Sequence, residues 1–434
     1  MKQNELVCVD YRVKDKRKNK MKKPELLVPA SSLEVLKTAV RYGADAVYIG
    51  GEVFGLRAKA KNFSLEEMTE GVVYAHQYGV KVYVTANILA HNADIEPVKA
   101  YFNDLKKVKP DALIISDPAV FMIAKEILPD MELHVSTQAN NTNYGTYNFW
   151  YGLGAKRVVS ARELSIHEIK EIRNNIPEDM EIETFIHGAM CISYSGRCLL
   201  SSFMTGRDAN KGACTHPCRW KYAVMEESRP GEYMPIEENE RGTYIFNSKD
   251  LCMIEYIPEL INAGIDSFKI EGRMKTALYV ATVARTYRMA VNDYLENPDK
   301  YQENIPKYKE FISQCTYRQY TTGFFFGKPD ETTQIYDSNV YEREYVYLGI
   351  IGERVSENEY RLEQKNKFYV GQTIEIMKAD GNDIEVQVVC IKDEEGNEME
   401  SCPHPKQQLI INLGMELETG DILRVKSEEK QVNS

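Results

Sequence analysis

Residues 24–51, PELLVPASSLEVLKTAVRYGADAVYIGG, contain the pattern that decides the fold. Two short apolar runs, 26–29 and 46–50, flank an amphipathic segment that starts with serine and ends at Gly43. Serine accepts hydrogen bonds from the first N–H groups of a helix, and glycine tolerates the left-handed backbone that ends one. The stretch therefore predicts a strand, a helix and a second strand, the β-α-β unit of parallel sheets.

The same unit recurs along the chain. Further apolar runs lie at 80–87, 112–116, 132–137, 157–160, 182–186 and 267–270. Capping boxes are predicted at Ser31/Glu34, Ser64/Glu67 and Ser165/Glu168. Glycines that end helices are predicted at Gly43, Gly79, Gly154 and Gly264. Eight such units predict a TIM-like (β/α)8 barrel, an α/β fold, over residues 24–300. The alternative is an open doubly wound sheet, whose dinucleotide-binding form is disfavoured because no G-x-G-x-x-G follows the first strand.

The spacing breaks once, between a strand that ends near His187 and one that begins near Ser267. The excess length predicts an insertion over 188–247 on the face where barrel strands end, which is the catalytic face of this fold. Polar side chains that could reach this face are those at the predicted strand ends: Asn87, Asp117, Gln138, Arg162, Glu163, His187, Lys269, Glu271 and Arg273.

The region after the barrel changes character. Residues 301–341 predict a helical, aromatic-rich connector. From 342 to 428, short alternating runs are separated by turn dipeptides such as Asp380-Gly381, which is typical of a small β-barrel or sandwich, and we expect a β-barrel domain.

Composition and charge exclude several protein classes. The 434 residues are 43% hydrophobic and 27% charged, as in globular proteins. A net charge of −11 argues against a generic nucleic-acid coat but permits a local basic patch. Residues 1–23 carry nine Lys and Arg against three acidic residues, which predicts a solvated tail or an arm that holds an RNA backbone. The chain has neither an apolar run of membrane-spanning length nor an apolar signal core, so a cytoplasmic protein without membrane association is expected.

Four of the nine cysteines lie within 28 residues, as Cys191-x6-Cys198-x15-Cys214-x3-Cys218. Structural zinc sites usually pair short knuckles on both sides, and only the last two cysteines have that spacing. Disulfides are disfavoured in a reducing compartment. A four-iron iron–sulfur cluster (4Fe-4S) tolerates irregular spacing and is the favoured reading, with zinc as the alternative and buried thiols as a third possibility.

The cysteine region also carries a resemblance. Residues 183–201, ETFIHGAMCISYSGRCLLS, and 206–219, GRDANKGACTHPCR, resemble the signature of the peptidase U32 family, the collagenase-like proteases. Further matches are at 24–30, 46–51 and 268–273, and the resemblance covers about 24 to 425. It implies that Cys191, Cys198, Cys214 and Cys218 are ligands of the cluster.

The resemblance implies two different kinds of activity. The family is named for collagen-degrading peptidases, but several members are iron–sulfur proteins that hydroxylate without oxygen gas. Their substrates are a tRNA wobble uridine, a ribosomal RNA cytidine or a ubiquinone precursor, with prephenate as co-substrate. The layout of barrel and β-domain resembles the tRNA hydroxylation branch, which makes 5-hydroxyuridine. The resemblance identifies neither an electron donor nor a paralogue that catalyses the same reaction.

The residues themselves favour hydroxylation over proteolysis. The chain has neither H-E-x-x-H nor G-x-S-x-G. Prephenate carries two carboxylates, which guanidinium groups bind well. The predicted substrate-binding residues are Arg57, Arg162, Arg197, Arg273, Gln138 and Asn87, and the predicted catalytic residues are Lys269, Glu271 as general base and His187 as acid or base.

Aromatic side chains beside the cysteines, Tyr194, Trp220 and Tyr222, are candidates for stacking on a splayed wobble base. A non-catalytic alternative is a zinc-stabilised RNA-binding module. The many polar residues at strand ends argue against it, because a scaffold needs none.

Overall fold

The computed structural model describes residues 22–55, 62–191, 193–220, 223–225, 233–235, 249–315, 319–328, 344–404 and 406–427. Arg57, Tyr222 and the basic segment 1–21 lie outside these residues.

Seven parallel strands follow the predicted runs. They are β1 (Glu25–Pro29), β2 (Ala46–Gly50), β3 (Lys81–Ala86), β4 (Ala112–Ile115), β5 (Glu132–Val135), β6 (Arg157–Val159) and β7 (Glu181–Gly188). The helices between them are α1 (Leu33–Arg41), α2 (Leu65–Gln77), α3 (Ile95–Val108), α4 (Pro118–Ile127), α5 (Tyr144–Gly152) and α6 (Ile166–Asn174).

The helix caps agree with the sequence at two of three positions. Ser64 and Ser165 form capping boxes at the starts of α2 and α6. The predicted Ser31/Glu34 box is wrong, because Ser32 caps α1 and accepts a hydrogen bond from the Val35 N–H. The four predicted glycines all have positive φ angles, as the left-handed helix ends require.

The predicted insertion contains the short helix α7 (Leu200–Thr205) and the hairpin of β8 (Ala223–Met225) and β9 (Tyr233–Pro235). The chain returns through β10 (Asp250–Cys252), α8 (Ile257–Asn262), β11 (Ser267–Ile270), α9 (Ala277–Glu296), α10 (Pro298–Ser313) and β12 (Tyr320–Thr321). β11 pairs in parallel with both β1 and β7, which closes the predicted eight-stranded barrel.

Two strands at the rim are absent from the predicted pattern. β10 runs antiparallel to β7, and β12 pairs with β10. These contacts join the end of the insertion and the segment after α10 to the barrel sheet at the C-terminal end of β7.

The C-terminal domain is an antiparallel sheet with its own apolar core. Its strands are β13 (Tyr345–Ser356), β14 (Glu359–Glu363), β15 (Thr373–Met377), β16 (Ile384–Gln387), β17 (Cys390–Lys392), β18 (Glu398–Met399), β19 (Gln408–Asn412) and β20 (Ile422–Lys426). The described strands do not pair β16 with β18, so the predicted small β-barrel is a half-barrel. The fully buried Arg285 of α9 binds Asp383 at 2.5 Å and fixes this domain to the barrel.

Among the described residues, no helix is both long enough and apolar enough to cross a membrane.

Candidate active site

A cavity of about 170 Å³ lies at the mouth of the barrel, where the strands end. One wall consists of barrel residues and the other of the cysteine-rich insertion. Ten of the predicted site residues line it: Asn87, Gln138, Arg162, Lys269, Glu271, Arg273, Cys191, Cys198, Cys214 and Cys218. The volume has room for on the order of ten water molecules, which is the scale of a small molecule or one nucleobase.

Lys269 lies at the floor of the cavity and is held by a buried ion pair. Its Nζ is 2.6 Å from Glu183 Oε1, and it lies 4.6 Å from the centre of the Tyr48 ring. Glu183 is fully buried. Burial alone raises the pKa of Glu183, but Lys269 and Arg157 outweigh it and hold that pKa below its ordinary value. Lys269 therefore faces the cavity with an ionised carboxylate behind it.

The ion pair continues into a charged network inside the lower half of the barrel. Arg157 lies 3.1 Å from Glu183, 2.5 Å from Glu25 and 2.6 Å from Glu181. Each buried carboxylate thus has a cationic partner, as buried charges require. The network fixes the side chains below the cavity before any substrate binds.

Arg162 and Glu271 form a second pair on the barrel wall. Arg162 Nη2 lies 3.2 Å from Glu271 Oε2, Nη1 donates to the Ala189 carbonyl, and the guanidinium packs 4.0 Å from the Phe185 ring centre. Arg162 Nε and Gln138 Oε1 are buried polar atoms with no hydrogen-bond partner among the described residues. Such atoms normally have a partner, so they suit a polar ligand.

Arg273 is buried and donates to Thr85 Oγ1 at 2.9 Å and to Asn62 Oδ1 at 3.3 Å. Its guanidinium lies directly against Gly50 at the end of β2, where a Cβ would come within 2.5 Å of Arg273 Nη2. Only glycine leaves room for the arginine in this position. Arg162, Lys269 and Arg273 thus bring three cations to one cavity that has one lining carboxylate, Glu271.

The insertion forms the other wall and is held mainly by hydroxyl and amide contacts. Ser201 Oγ lies 3.1 Å from Thr215 Oγ1, which ties α7 to the segment of Cys214 and Cys218. On the barrel side, Asn140 Nδ2 donates to the Ser195 carbonyl at 2.9 Å. These contacts place the cysteines over the barrel mouth.

The four cysteines share one cavity, and none of them forms a disulfide bond in the described structure. Within the described residues, no three His, Cys, Asp or Glu side chains lie close enough together to hold a metal ion. The donor set is four thiols facing one space, and thiolates are the ligands of iron–sulfur clusters and of structural zinc. The residue types therefore fit a thiolate-bound group.

His187 is not brought together with the other predicted residues. It is buried among Tyr279, Tyr287 and Tyr320 and does not line the cavity. Burial, with a contribution from the charge of Lys275, lowers the pKa of His187 to about 3, so the ring is neutral. The register of β7 against β11 shifts between Lys269 and Ile270, opposite His187, and such a shift re-aims a side chain. This position gives no support to the predicted acid or base role.

Two of the predicted arginines are also not in the cavity. Arg197 is exposed and does not line it, and Arg57 lies outside the described residues. Conversely, Tyr48, Thr85 and Phe185 line the cavity without having been predicted. They alternate with core residues on barrel strands, and an inward aromatic in such a run looks like ordinary core in sequence.

Comparison with known proteins assigns the chain to a family. The model of peptidase family U32 matches residues 31–335, and that of the peptidase family U32 C-terminal domain matches 343–424. The chain is 40% identical to tRNA hydroxylation protein P1 of Bacillus subtilis, over 93% of this chain and 95% of that protein. It is 43% identical to an uncharacterized protease of Methanocaldococcus jannaschii, over 70% and 73% of the two chains. It is 38% identical to the 23S rRNA 5-hydroxycytidine C2501 synthase of Escherichia coli, over 63% and 40%.

Both matched models and the full-length similarity agree with the barrel and half-barrel described above. The chain belongs to peptidase family U32.

Proposed function

We propose that the protein is an RNA-hydroxylating enzyme that converts the wobble uridine of tRNA to 5-hydroxyuridine, with prephenate as co-substrate and without oxygen gas. The observation that carries the proposal is the cavity itself, in which three cationic side chains face four thiols. The names of the Bacillus and Escherichia relatives support hydroxylation of RNA. Because the proposed substrate is tRNA, the proposal includes a cytoplasmic location.

In this proposal Cys191, Cys198, Cys214 and Cys218 hold a 4Fe-4S cluster. Replacement of C5–H by C5–OH with an oxygen atom from water releases two protons and two electrons, and the cluster, when bound, would pass these electrons to an external electron acceptor. The remaining chemistry belongs to the side chains of the barrel wall.

Arg162, Lys269 and Arg273 bind the carboxylates of prephenate. A dianion offsets the positive charge of the cavity, and guanidinium groups bind carboxylates in a fork that also fixes orientation. Lys269 contributes a point charge whose position is set by Glu183. Gln138 and Asn87, on the same wall, supply amides for polar groups of either substrate.

Glu271 is the general base of the proposal. Its carboxylate is the one acidic side chain of the described lining, and it accepts from Arg162, which keeps it oriented. It takes the proton that leaves C5 of uridine as the hydroxyl group replaces it. Once Glu271 is protonated, Arg162 no longer has this carboxylate charge to neutralise and can bind the co-substrate carboxylate more strongly. The pair therefore links co-substrate binding to proton transfer.

A peptidase remains the second candidate, because of the family name and the relative named as a protease. Ser136, Ser195 and Ser201 line the cavity, but no histidine is among its described lining residues. A serine nucleophile therefore lacks a histidine base among the described lining residues. The third candidate, a zinc-stabilised RNA-binding module, gives no reason for the ion pairs that order the barrel wall.

Nucleoside mass spectrometry of tRNA tests the proposal. A deletion strain should lack 5-hydroxyuridine, the wild-type gene should restore it, and Glu271→Gln should not. A block in prephenate synthesis should abolish the modification even with the wild-type gene present. Unchanged hydroxyuridine in the deletion strain, with gelatin cleavage by the purified protein, would favour the peptidase.

A further inference from the structure

The cysteine-rich insertion exposes large apolar side chains beside the cavity. Phe203 is 85% exposed and Leu199 is 68% exposed, and Met204, Trp220 and Tyr194 are each more than 40% exposed. Single exposed apolar residues are common, but several on one short segment usually mark a binding surface.

The helix α7 separates an inner from an outer face. Leu200 lines the cavity and Ser201 is buried against Thr215. Leu199 and Phe203 are four positions apart, so both lie on the opposite, outward side of this turn. α7 also contacts the turn Pro217–Arg219, which Trp220 follows. The same segment thus has one side in the cavity and one in solvent.

Two arginines flank this outer face. Arg197 precedes α7 and Arg207 follows it, and both are exposed. Neither makes a salt bridge or a side-chain hydrogen bond to any residue that the structure describes, whereas the neighbouring Lys211 is paired with Asp94 at 3.1 Å. In a chain of net charge −11, two arginines that have no acidic partner within the described part of the chain and lie beside exposed aromatics form a distinct local patch.

We propose that this outer face, formed by Leu199, Phe203, Trp220, Arg197 and Arg207, binds the single-stranded nucleotides on either side of the base that enters the cavity. The inference rests on the proposed function and names how that site recognises RNA. A cavity of about 170 Å³ has no room for three consecutive nucleotides, so the nucleotides on either side of the entering base must lie outside it. Aromatic rings stack on bases of any sequence, and arginines contact the phosphates between them.

The test uses the full-length protein and a tRNA anticodon stem-loop with uridine at the wobble position, with binding followed by fluorescence anisotropy. Phe203→Ala should weaken binding about tenfold, the loss expected for one stacked base. Phe203→Trp should retain near wild-type affinity, and Phe203→Leu should not. The matched control is Phe149→Ala, because Phe149 is also an exposed phenylalanine, at 58%, but lies on α5.

The arginines provide a second measurement. A double variant should be made that carries both Arg197→Ala and Arg207→Ala. It should reduce the slope of log affinity against log salt by about 1.4, the value for two phosphate contacts to a single strand. Thermal unfolding should be unchanged in all variants, since the side chains are exposed. Prephenate affinity should also be unchanged, because none of these residues lines the cavity.

If Phe203→Ala binds the stem-loop as tightly as wild type, or if leucine replaces phenylalanine as well as tryptophan does, the inference is wrong. Equal binding by the leucine and tryptophan variants would indicate a general apolar contact, such as a docking surface for another protein. A wild-type protein that neither binds tRNA nor affects hydroxyuridine overturns the proposed function instead, so the two failures are distinguishable.

Discussion

The two walls of the cavity are built in opposite ways. On the barrel wall, Lys269 and Arg162 are held by carboxylates that are themselves largely buried. On the insertion wall, hydroxyl contacts hold α7, and Cys191 is exposed. The charged wall is therefore fixed by buried ion pairs that the fold supplies, whereas the described thiol wall is held by hydroxyl contacts between neutral groups.

The largest expected effect is on the insertion wall. Serine at any one of the four cavity cysteines, for example Cys218→Ser, should reduce tRNA hydroxylation at least a hundredfold, because a cluster that loses a thiolate ligand is not retained. The unfolding free energy of the barrel should change little. Activity is measured on purified tRNA under anaerobic conditions.

Cys390→Ser is the matched control, because Cys390 lies in the C-terminal half-barrel and outside the cavity. It should behave as wild type. Full activity of Cys218→Ser would contradict the role given to the thiol wall.

The barrel wall should show the converse behaviour. Glu183→Gln removes the charge behind Lys269 and leaves a buried ammonium without its anion, which typically costs about 3–5 kcal/mol. The unfolding free energy, from urea titration, should fall by about this amount, and kcat should fall as Lys269 loses its position. Glu171→Gln is the control, since Glu171 is exposed on α6.

Unchanged kcat together with unchanged stability in Glu183→Gln would show that the ion pair has no part in ordering the wall.

The charged network also predicts a pH dependence. Burial acts to raise the pKa of Glu25, but Arg157 outweighs it and lowers that pKa to about 2, from an ordinary value of 4.5. A lowered carboxyl pKa gives stability that is complete above about pH 4.5 and is lost as the pH falls toward 2. The contribution is about 3 kcal/mol at neutral pH.

Glu25→Gln should therefore be less stable than wild type at pH 7, and the two unfolding curves should converge as the pH approaches 2. Urea titrations at several pH values measure this. A difference that stays constant over the range would mean that the carboxylate charge is not what stabilises the barrel.

The smallest expected effect concerns the place of Arg273. Gly50→Ala puts a methyl group within 2.5 Å of its guanidinium and should displace it. The KM for prephenate should rise about tenfold, the loss of one charge-assisted contact. Gly152→Ala on α5 is the control, because nothing lies within 4 Å of the added Cβ. Equal KM values in the two variants would remove Arg273 from the proposed binding set.

The barrel is predictable from sequence because each unit has local signals. Ser64 and Ser165 start their helices as expected, and Gly43 ends one. The cysteine cluster is similarly visible, because its members are close in sequence. Ser31 and Ser32 are adjacent at the start of α1, so the sequence does not decide which of them caps the helix. The predicted cap is therefore off by one residue.

Contacts between residues that are far apart along the chain could not be predicted from the sequence. Glu183 looks like one polar residue in an apolar run, and its partners Lys269 and Arg157 are far away along the chain. The orientation of His187 depends on a register shift between β7 and β11, which no local pattern specifies. The exposure of Phe203 is likewise a property of how the insertion sits over the mouth.

The most direct test of the central claim is the iron and acid-labile sulfide content of protein purified without oxygen. The account predicts about four iron and four sulfide atoms per chain, both lost in the Cys218→Ser variant. Stoichiometric zinc without sulfide would contradict it, and the cavity would then be the site of a zinc-stabilised module.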